Sequence, residues 1–222
     1  MKPFVYKFLI VQLFCSFFVL NLPLIAQNQT AKAKPVFKDG EAQIVDAFND
    51  KSAWIRHDLW VETEFDTDGD GRLDRMHVDV TRPAHTDTEG LKLPVVYESS
   101  PYFAGVAPDL PGSFWNVRHE LGVAAEPRVH PDVVRTGTRP IISNSQIDTW
   151  VPRGYIVVHS SSPGTGLSQG APTVGGDNES LAPKAVIEWL SGKKNGYTSP
   201  DGTELVEAYW STGKVGMTGT SY

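Results

Sequence analysis

Three stretches decide the fold: GYIVVHSSSPG at 154–164, SLAPKAVIEWL at 180–190 and KVGMTGTSY at 214–222. The first is a short apolar run that ends in small residues and a Pro-Gly pair, and Lys214-Val215-Gly216-Met217 ends the same way in Thr218-Gly219-Thr220-Ser221. Runs of this kind are buried parallel strands, with function on the loops at their carboxyl ends. The segment between them predicts a helix over about Ser180 to Leu190. Asn178 or Ser180 caps it, Pro183 falls in the first turn where a missing N–H costs little, and Gly192 ends it. Leu181, Ala185 and Trp189 form a stripe that Val186 and Leu190 widen. Strand, helix and strand in that order imply a right-handed parallel crossover and an α/β sheet.

Working outward, Leu93-Pro94-Val95-Val96-Tyr97 is a third such run and ends in Glu98-Ser99-Ser100-Pro101. Glu62 to Pro83 reads as a β-hairpin around an acidic turn, Asp66-Thr67-Asp68-Gly69-Asp70-Gly71. After the turn, Met76, Val78 and Val80 alternate with His77, Asp79 and Thr81, the period of a half-buried strand. Phe103 to Trp150 is long and broken by Pro108, Pro111, Pro127, Pro131 and Pro140. It reads either as an insertion over the active-site face or as a plain surface excursion.

At the amino end, Lys2 and Lys7 precede the apolar run FLIVQLFCSFFVL at 8–20, which Asn21 and Pro23 break. That order is a signal peptide over residues 1–26, with cleavage expected after Ala26 and a secreted or periplasmic product. The competing reading is an uncleaved anchor, but the run is shorter than the roughly 20 residues that span a bilayer, so no stable membrane partner is expected. Residues 27–55 read as a lead-in, polar up to Asp39, and 56–222 as the main domain.

Composition narrows the function classes. The chain has 222 residues, 40% of them hydrophobic, which is too apolar for a disordered chain. Its formal charge is −6, and the leader holds two of the lysines, so the body is more acidic still. That argues against a nucleic-acid partner. The only cysteine, Cys15, lies in the leader, so the body has neither a disulfide framework nor a cysteine metal site.

Gly219-Thr220-Ser221-Tyr222 supplies four of the five positions of the nucleophile elbow G-x-S-x-G, directly after a strand. The turn must be tight so that the serine oxygen projects from the sheet. Ser221 is therefore the candidate nucleophile, although a linker Gly-Thr-Ser would be spelled the same way. The backbone N–H of Tyr222 is one candidate oxyanion donor. The phenol of Tyr102, on the loop after an earlier strand, is a second, set against a tyrosine merely packed beneath a loop. The acid and base of a triad follow the serine in this fold, and all six histidines (His57, His77, His85, His119, His130 and His159) precede it. His159, at a strand end, is read as structural.

Metal chemistry is secondary. Asp66, Asp68, Asp70, Gly71 and Asp74 match the start of a calcium loop, but His77 stands where the bidentate Glu belongs, so an acidic hairpin turn is preferred. His119-Glu120 begins H-E-x-x-H, but position 123 is valine. No cofactor is expected.

The stretches FDTDGDGRLDRMHVDVTRP, VVYESSPYF and PRGYIVVHSSSPGTGLSQG, and above all KAVIEWLSGKKNGYTSPDGTELVEAYWSTGKVGMTGTSY, resemble the X-prolyl dipeptidyl aminopeptidases and their relatives, the cocaine-esterase-like and α-amino-acid ester hydrolases. The resemblance covers about Val61 to Tyr222. It implies an α/β-hydrolase fold, cut here just after the nucleophile elbow. It also implies a serine peptidase that releases Xaa-Pro dipeptides through an acyl-enzyme, acting on peptides with proline at the second position. Carried over, Ser221 is the nucleophile, and Tyr102 with the Tyr222 N–H forms the oxyanion hole. The triad Asp and His have no counterpart in the chain, so the stretch by itself is expected to be inactive. The helical N-terminal domain of the lactic-acid-bacterial members is absent, which leaves the oligomeric state open. Two other readings stand beside it: an esterase or acylase of the cocaine-esterase-like branch, and an exported calcium-binding module that is not an enzyme.

Overall fold

Alternating and continuous apolar runs build a seven-stranded mixed sheet, seen in a computed structural model that describes residues 32–102, 121–124 and 144–219. These residues belong to one unit that begins at Lys32. In chain order the elements are β1 (Val36–Lys38), β2 (Glu41–Gln43), β3 (Trp54–Glu62), β4 (Arg75–Pro83), α1 (His85–Thr88), β5 (Leu93–Ser100), α2 (Ser145–Trp150), β6 (Ile156–Ser161), α3 (Asp177–Leu190), β7 (Gly196–Tyr197), β8 (Leu205–Val206) and β9 (Ser211–Thr218). The first two strands pair only with each other. The large sheet runs β8-β7-β3-β4-β6-β5-β9. The three strands read from the sequence as buried and parallel are parallel, β5 pairing with β6 on one side and with β9 on the other, but only β5 and β6 are buried: β9 is the last strand of the described sheet and Met217 is 54% exposed. β3 and β4 form the antiparallel hairpin, and β4 joins β6 antiparallel.

Strand parity assigns the two faces. Val61, Met76, Val78, Val80, Val95, Tyr97, Ile156 and Val158 face α3, which presents Ala182, Ala185, Val186, Trp189 and Leu190 to them. On the other face Trp54 and Val157 pack against Ile147 of α2 and the adjoining Val151. Helices on both faces of a sheet with a parallel half make this the expected α/β-hydrolase arrangement. Each large apolar side chain buried this way contributes about 1.5–3 kcal/mol. Trp189 also stacks edge-on against Trp210, with centroids 5.8 Å apart, and its indole N–H donates to the Val206 carbonyl at 2.8 Å.

Several expectations need correction. The first strand of the hairpin lies before Glu62, not after it: β3 ends at Glu62, and 63–74 form the connection. β4 is buried along its whole length rather than half-buried, because His77, Asp79 and Thr81 are covered on the second face. α3 starts at Asp177 with Gly176 as its cap residue, so Pro183 lies in the second turn. Asn178, read as a cap, is instead inside the helix: its side chain accepts from Thr173 Oγ1 and donates to the Ala171 carbonyl. Ser145–Trp150, at the end of the segment read as irregular, is helical. Residues 36–53, within the expected lead-in, carry the β1–β2 ribbon and a short 3₁₀ turn that buries Phe48. The leader, residues 1–26, lies outside the described residues, as does most of Phe103 to Ser143.

Candidate active site

The parallel ladder brings three carboxyl ends to one edge. Glu98 of β5 is in register with His159 of β6 and with Thr218 of β9. Beyond Ser100 the chain cannot continue the ladder through Pro101, which has no N–H, and it turns. The turn is pinned by Tyr102, whose backbone N–H donates to Ser100 Oγ at 3.1 Å. From the neighbouring loop, the Ser162 N–H donates to the Ser100 carbonyl at 3.3 Å. Tyr102 itself is 40% exposed at this edge.

The loop after β6, Ser162 to Gly176, shapes what stands beside Tyr102. Gly164 has φ +67, and a Cβ there would overlap Pro172, so glycine is required at that corner. Pro101, Tyr102, Ser162, Pro163, Thr173 and Glu179 border a cavity of about 210 Å³. A neighbouring hollow of about 440 Å³ shares Ser162 and Glu179 and reaches Ser99 and Met217. The Glu179 carboxylate accepts from the Gly175 N–H and lies 3.2 Å from Thr173 Oγ1, whose hydrogen goes to Asn178.

Ser221 and Tyr222, the candidate nucleophile and second oxyanion donor, lie outside the described residues, and so does Thr220. The described chain runs through Thr218, the last residue of β9, to Gly219 at this same edge.

The histidines fall in different places. His159 is buried, with Nε2 3.7 Å from Glu98 Oε2. Glu98 is a residue the sequence reading passed over, and burial pushes its carboxyl above the ordinary range. The available signal was a charged residue inside the apolar run LPVVYESS, just ahead of the Pro-Tyr turn. His77 is also buried and bonds Asp58 at 2.9 Å; burial holds its pKa down although Asp58 opposes the shift. His57 accepts from the Arg82 guanidinium at 2.9 Å, and burial, then Arg82, lower its pKa. Arg82 closes a cluster with Asp87 and Tyr209 at the opposite edge of the sheet, and the Tyr209 hydroxyl donates to Asp87 at 2.6 Å. His119 and His130 lie outside the described residues.

The acidic turn has a structural task that its spelling hides. Asp66 accepts from the Gly69 and Gly71 N–H groups, and Asp70 accepts from the Arg72 N–H. Asp74 is buried and accepts both the N–H and the hydroxyl of Thr67, whose oxygen accepts in turn from the Ala171 N–H. The turn thereby holds the loop after β6. Carboxylate oxygens of Asp66, Asp68 and Asp74 lie within 4.8 Å of one another, so of the four acids in the calcium-loop match these three converge and Asp70 does not join them.

Residues 68–222 match the family model described as X-Pro dipeptidyl-peptidase (S15 family). A protein of Rhodopirellula baltica, provisionally named a Xaa-Pro dipeptidyl-peptidase, is 65% identical over 85% of this chain and 30% of its own length. The Xaa-Pro dipeptidyl-peptidase of Ligilactobacillus salivarius is 33% identical over 94% of this chain and 27% of its own length. The chain thus spans less than a third of the length of these relatives. A solved CocE/NonD family hydrolase of Staphylococcus aureus is 19% identical at a TM-score of 0.36 over 79% of this chain and 27% of that one, a likeness too slight to bear on function.

Proposed function

The chain belongs to the X-Pro dipeptidyl-peptidase (S15) family, and from that premise we propose that its protein releases Xaa-Pro dipeptides from peptide N-termini by serine acyl transfer. One observation carries the reading at the level of residues. The strand that leads to the G-x-S sequence is parallel to, and in register with, the strand that leads to Tyr102. In this reading the Ser221 hydroxyl attacks the carbonyl carbon of the proline residue, the bond to the next residue's nitrogen breaks, and that amine leaves with the hydroxyl's proton. The oxygen that becomes negative is held by the Tyr102 phenol and the Tyr222 N–H. The acyl-enzyme is then released by water. The substrates are peptides with a free N-terminus and proline second.

The remaining assignments belong to the same proposal. Residues 1–26 act as an export signal cut after Ala26, 27–55 as a lead-in, and the hydrolase domain begins at 56. Support comes from the two lysines, the apolar run and its break.

The decisive experiment measures hydrolysis of Ala-Pro and Gly-Pro p-nitroanilides by the full-length gene product, beside a simple butyrate ester. Prolyl amide cleavage is expected, and Ser221→Ala is expected to abolish it. Cleavage of the ester alone, lost in the variant, would transfer the protein to the esterase branch. Activity surviving Ser221→Ala would remove Ser221 from the mechanism.

A further inference from the structure

One row of the sheet is polar where its neighbour is apolar. Register places Asp58, Asp79, His159, Glu98 and Thr218 side by side across β3, β4, β6, β5 and β9. By strand parity they share one face. Asp79, His159 and Glu98 are all buried, at 2%, 1% and 8% exposure. In the next row on that face β6 and β5 carry Val157 and Val96, so this surface accepts aliphatic packing. Burying a carboxylate costs several kcal/mol before its partner offsets it. Packing therefore does not explain Glu98.

Its position does. Glu98 lies between the imidazole of His159, 3.7 Å away, and the strand that ends at Thr218. Ser100, the next residue of β5 on the same face, accepts the Tyr102 N–H, and its carbonyl accepts the Ser162 N–H. The Glu98–His159 approach between β5 and β6 is thus one step below the turn that carries Tyr102, and it is level with the end of β9.

We propose that Glu98, packed beside His159 of β6, is a positioning residue of this serine site, fixing the carboxyl end of β5, and with it Tyr102, relative to β9. The inference rests on the reading of Tyr102 as an oxyanion donor. Glu98 itself makes no contact with substrate; it acts through the Tyr102 turn.

The test is a double-mutant cycle in the full-length protein, with Glu98→Gln, Tyr102→Phe and the pair. Its readouts are kcat and KM on Ala-Pro p-nitroanilide and the rate of Ser221 labelling by a fluorophosphonate. Small displacements of a reacting group cost on the order of 10- to 100-fold, so Glu98→Gln is expected to lower kcat by that range with KM within about twofold. In the Tyr102→Phe background the same substitution is expected to cost less than about threefold, because residues acting through one element are not additive. Labelling is expected to follow the same pattern. Full multiplication of the two losses, or a lowered melting temperature with unchanged kcat per labelled site, would overturn the proposal. If Glu98→Gln does not fold, His159→Gln breaks the pair from β6 and the same cycle decides. If the protein cleaves esters and no prolyl amides, the cycle is read on the ester, which separates failure of the peptidase reading from failure of this one. Absence of Ser221 labelling in the wild type would overturn both.

Discussion

Glu98 of β5 stands in register with Thr218 of β9, and the chain then reaches Tyr102 four residues after the first and Ser221 three residues after the second. Two candidate groups thus leave adjacent parallel strands at nearly the same level. That relationship is the reason Tyr102 is proposed as an oxyanion donor and not read only as an exposed tyrosine.

Replacing Tyr102 by Phe removes one hydroxyl from a side chain that is 40% exposed. Loss of one oxyanion donor costs about 10²–10³ in kcat. Stability is expected to change by less than about 0.5 kcal/mol, as for surface substitutions generally. Steady-state kinetics and a denaturant melt on the same full-length variant check both halves. A large stability loss with kcat intact would return Tyr102 to a packing role.

Gly196 begins β7 beside Trp189, and a Cβ there would overlap the indole ring around its nitrogen. Gly196→Ala is expected to destabilise the protein by about 1–3 kcal/mol through overpacking. The indole bond to Val206 would be strained at the same time. Gly216→Ala serves as the control, since the nearest atom to its Cβ would be the Val95 carbonyl oxygen at 4.0 Å. Urea midpoints of the two variants should separate clearly.

His57 and His77 both have pKa values held below 6.5, first by burial and for His57 also by Arg82. Below pH 6.5 the unfolded chain then binds more protons at these sites than the folded one, so stability falls as pH falls. Their contribution is complete above 6.5 and is lost as pH drops through the depressed native values. Melting temperature is expected to fall more steeply between pH 7 and pH 5 in the wild type than in a His57→Gln/His77→Gln variant. Equal slopes would place the acid sensitivity in other groups.

If residues 1–26 are an export signal, the mature protein begins at Gln27. Expression of the full gene with its native leader, followed by N-terminal sequencing of the exported fraction, reads this directly. A product still starting at Met1 and retained with membranes would favour the uncleaved anchor.

Much of the fold was legible because its causes are local. The apolar runs at Leu93 and Ile156 and the stripe at Ala185 and Trp189 bury themselves wherever they land, so strand, helix and α/β class follow from their periods, whereas the run at Val215 forms a strand that stays largely exposed at the edge of the described sheet. The exact start of α3 was not legible. Asn178 has the chemistry of a cap, and only its contacts with Thr173 and Ala171 draw it into the helix. The burial of His77 and Asp79 was hidden for a similar reason: alternation along β4 cannot say whether the second face is covered.

Chemistry at the site divides along the same line. The sequence by itself determined which residues are of the right type, Ser221 after a strand and Tyr102 after Pro101, because motif spacing is a property of the chain. The tertiary structure decided that β5 lies between β6 and β9. Only that neighbour order sets Glu98 beside His159 and level with Thr218, since lateral contacts in a sheet depend on strand order and register, and neither is written in the spacing of residues along the chain.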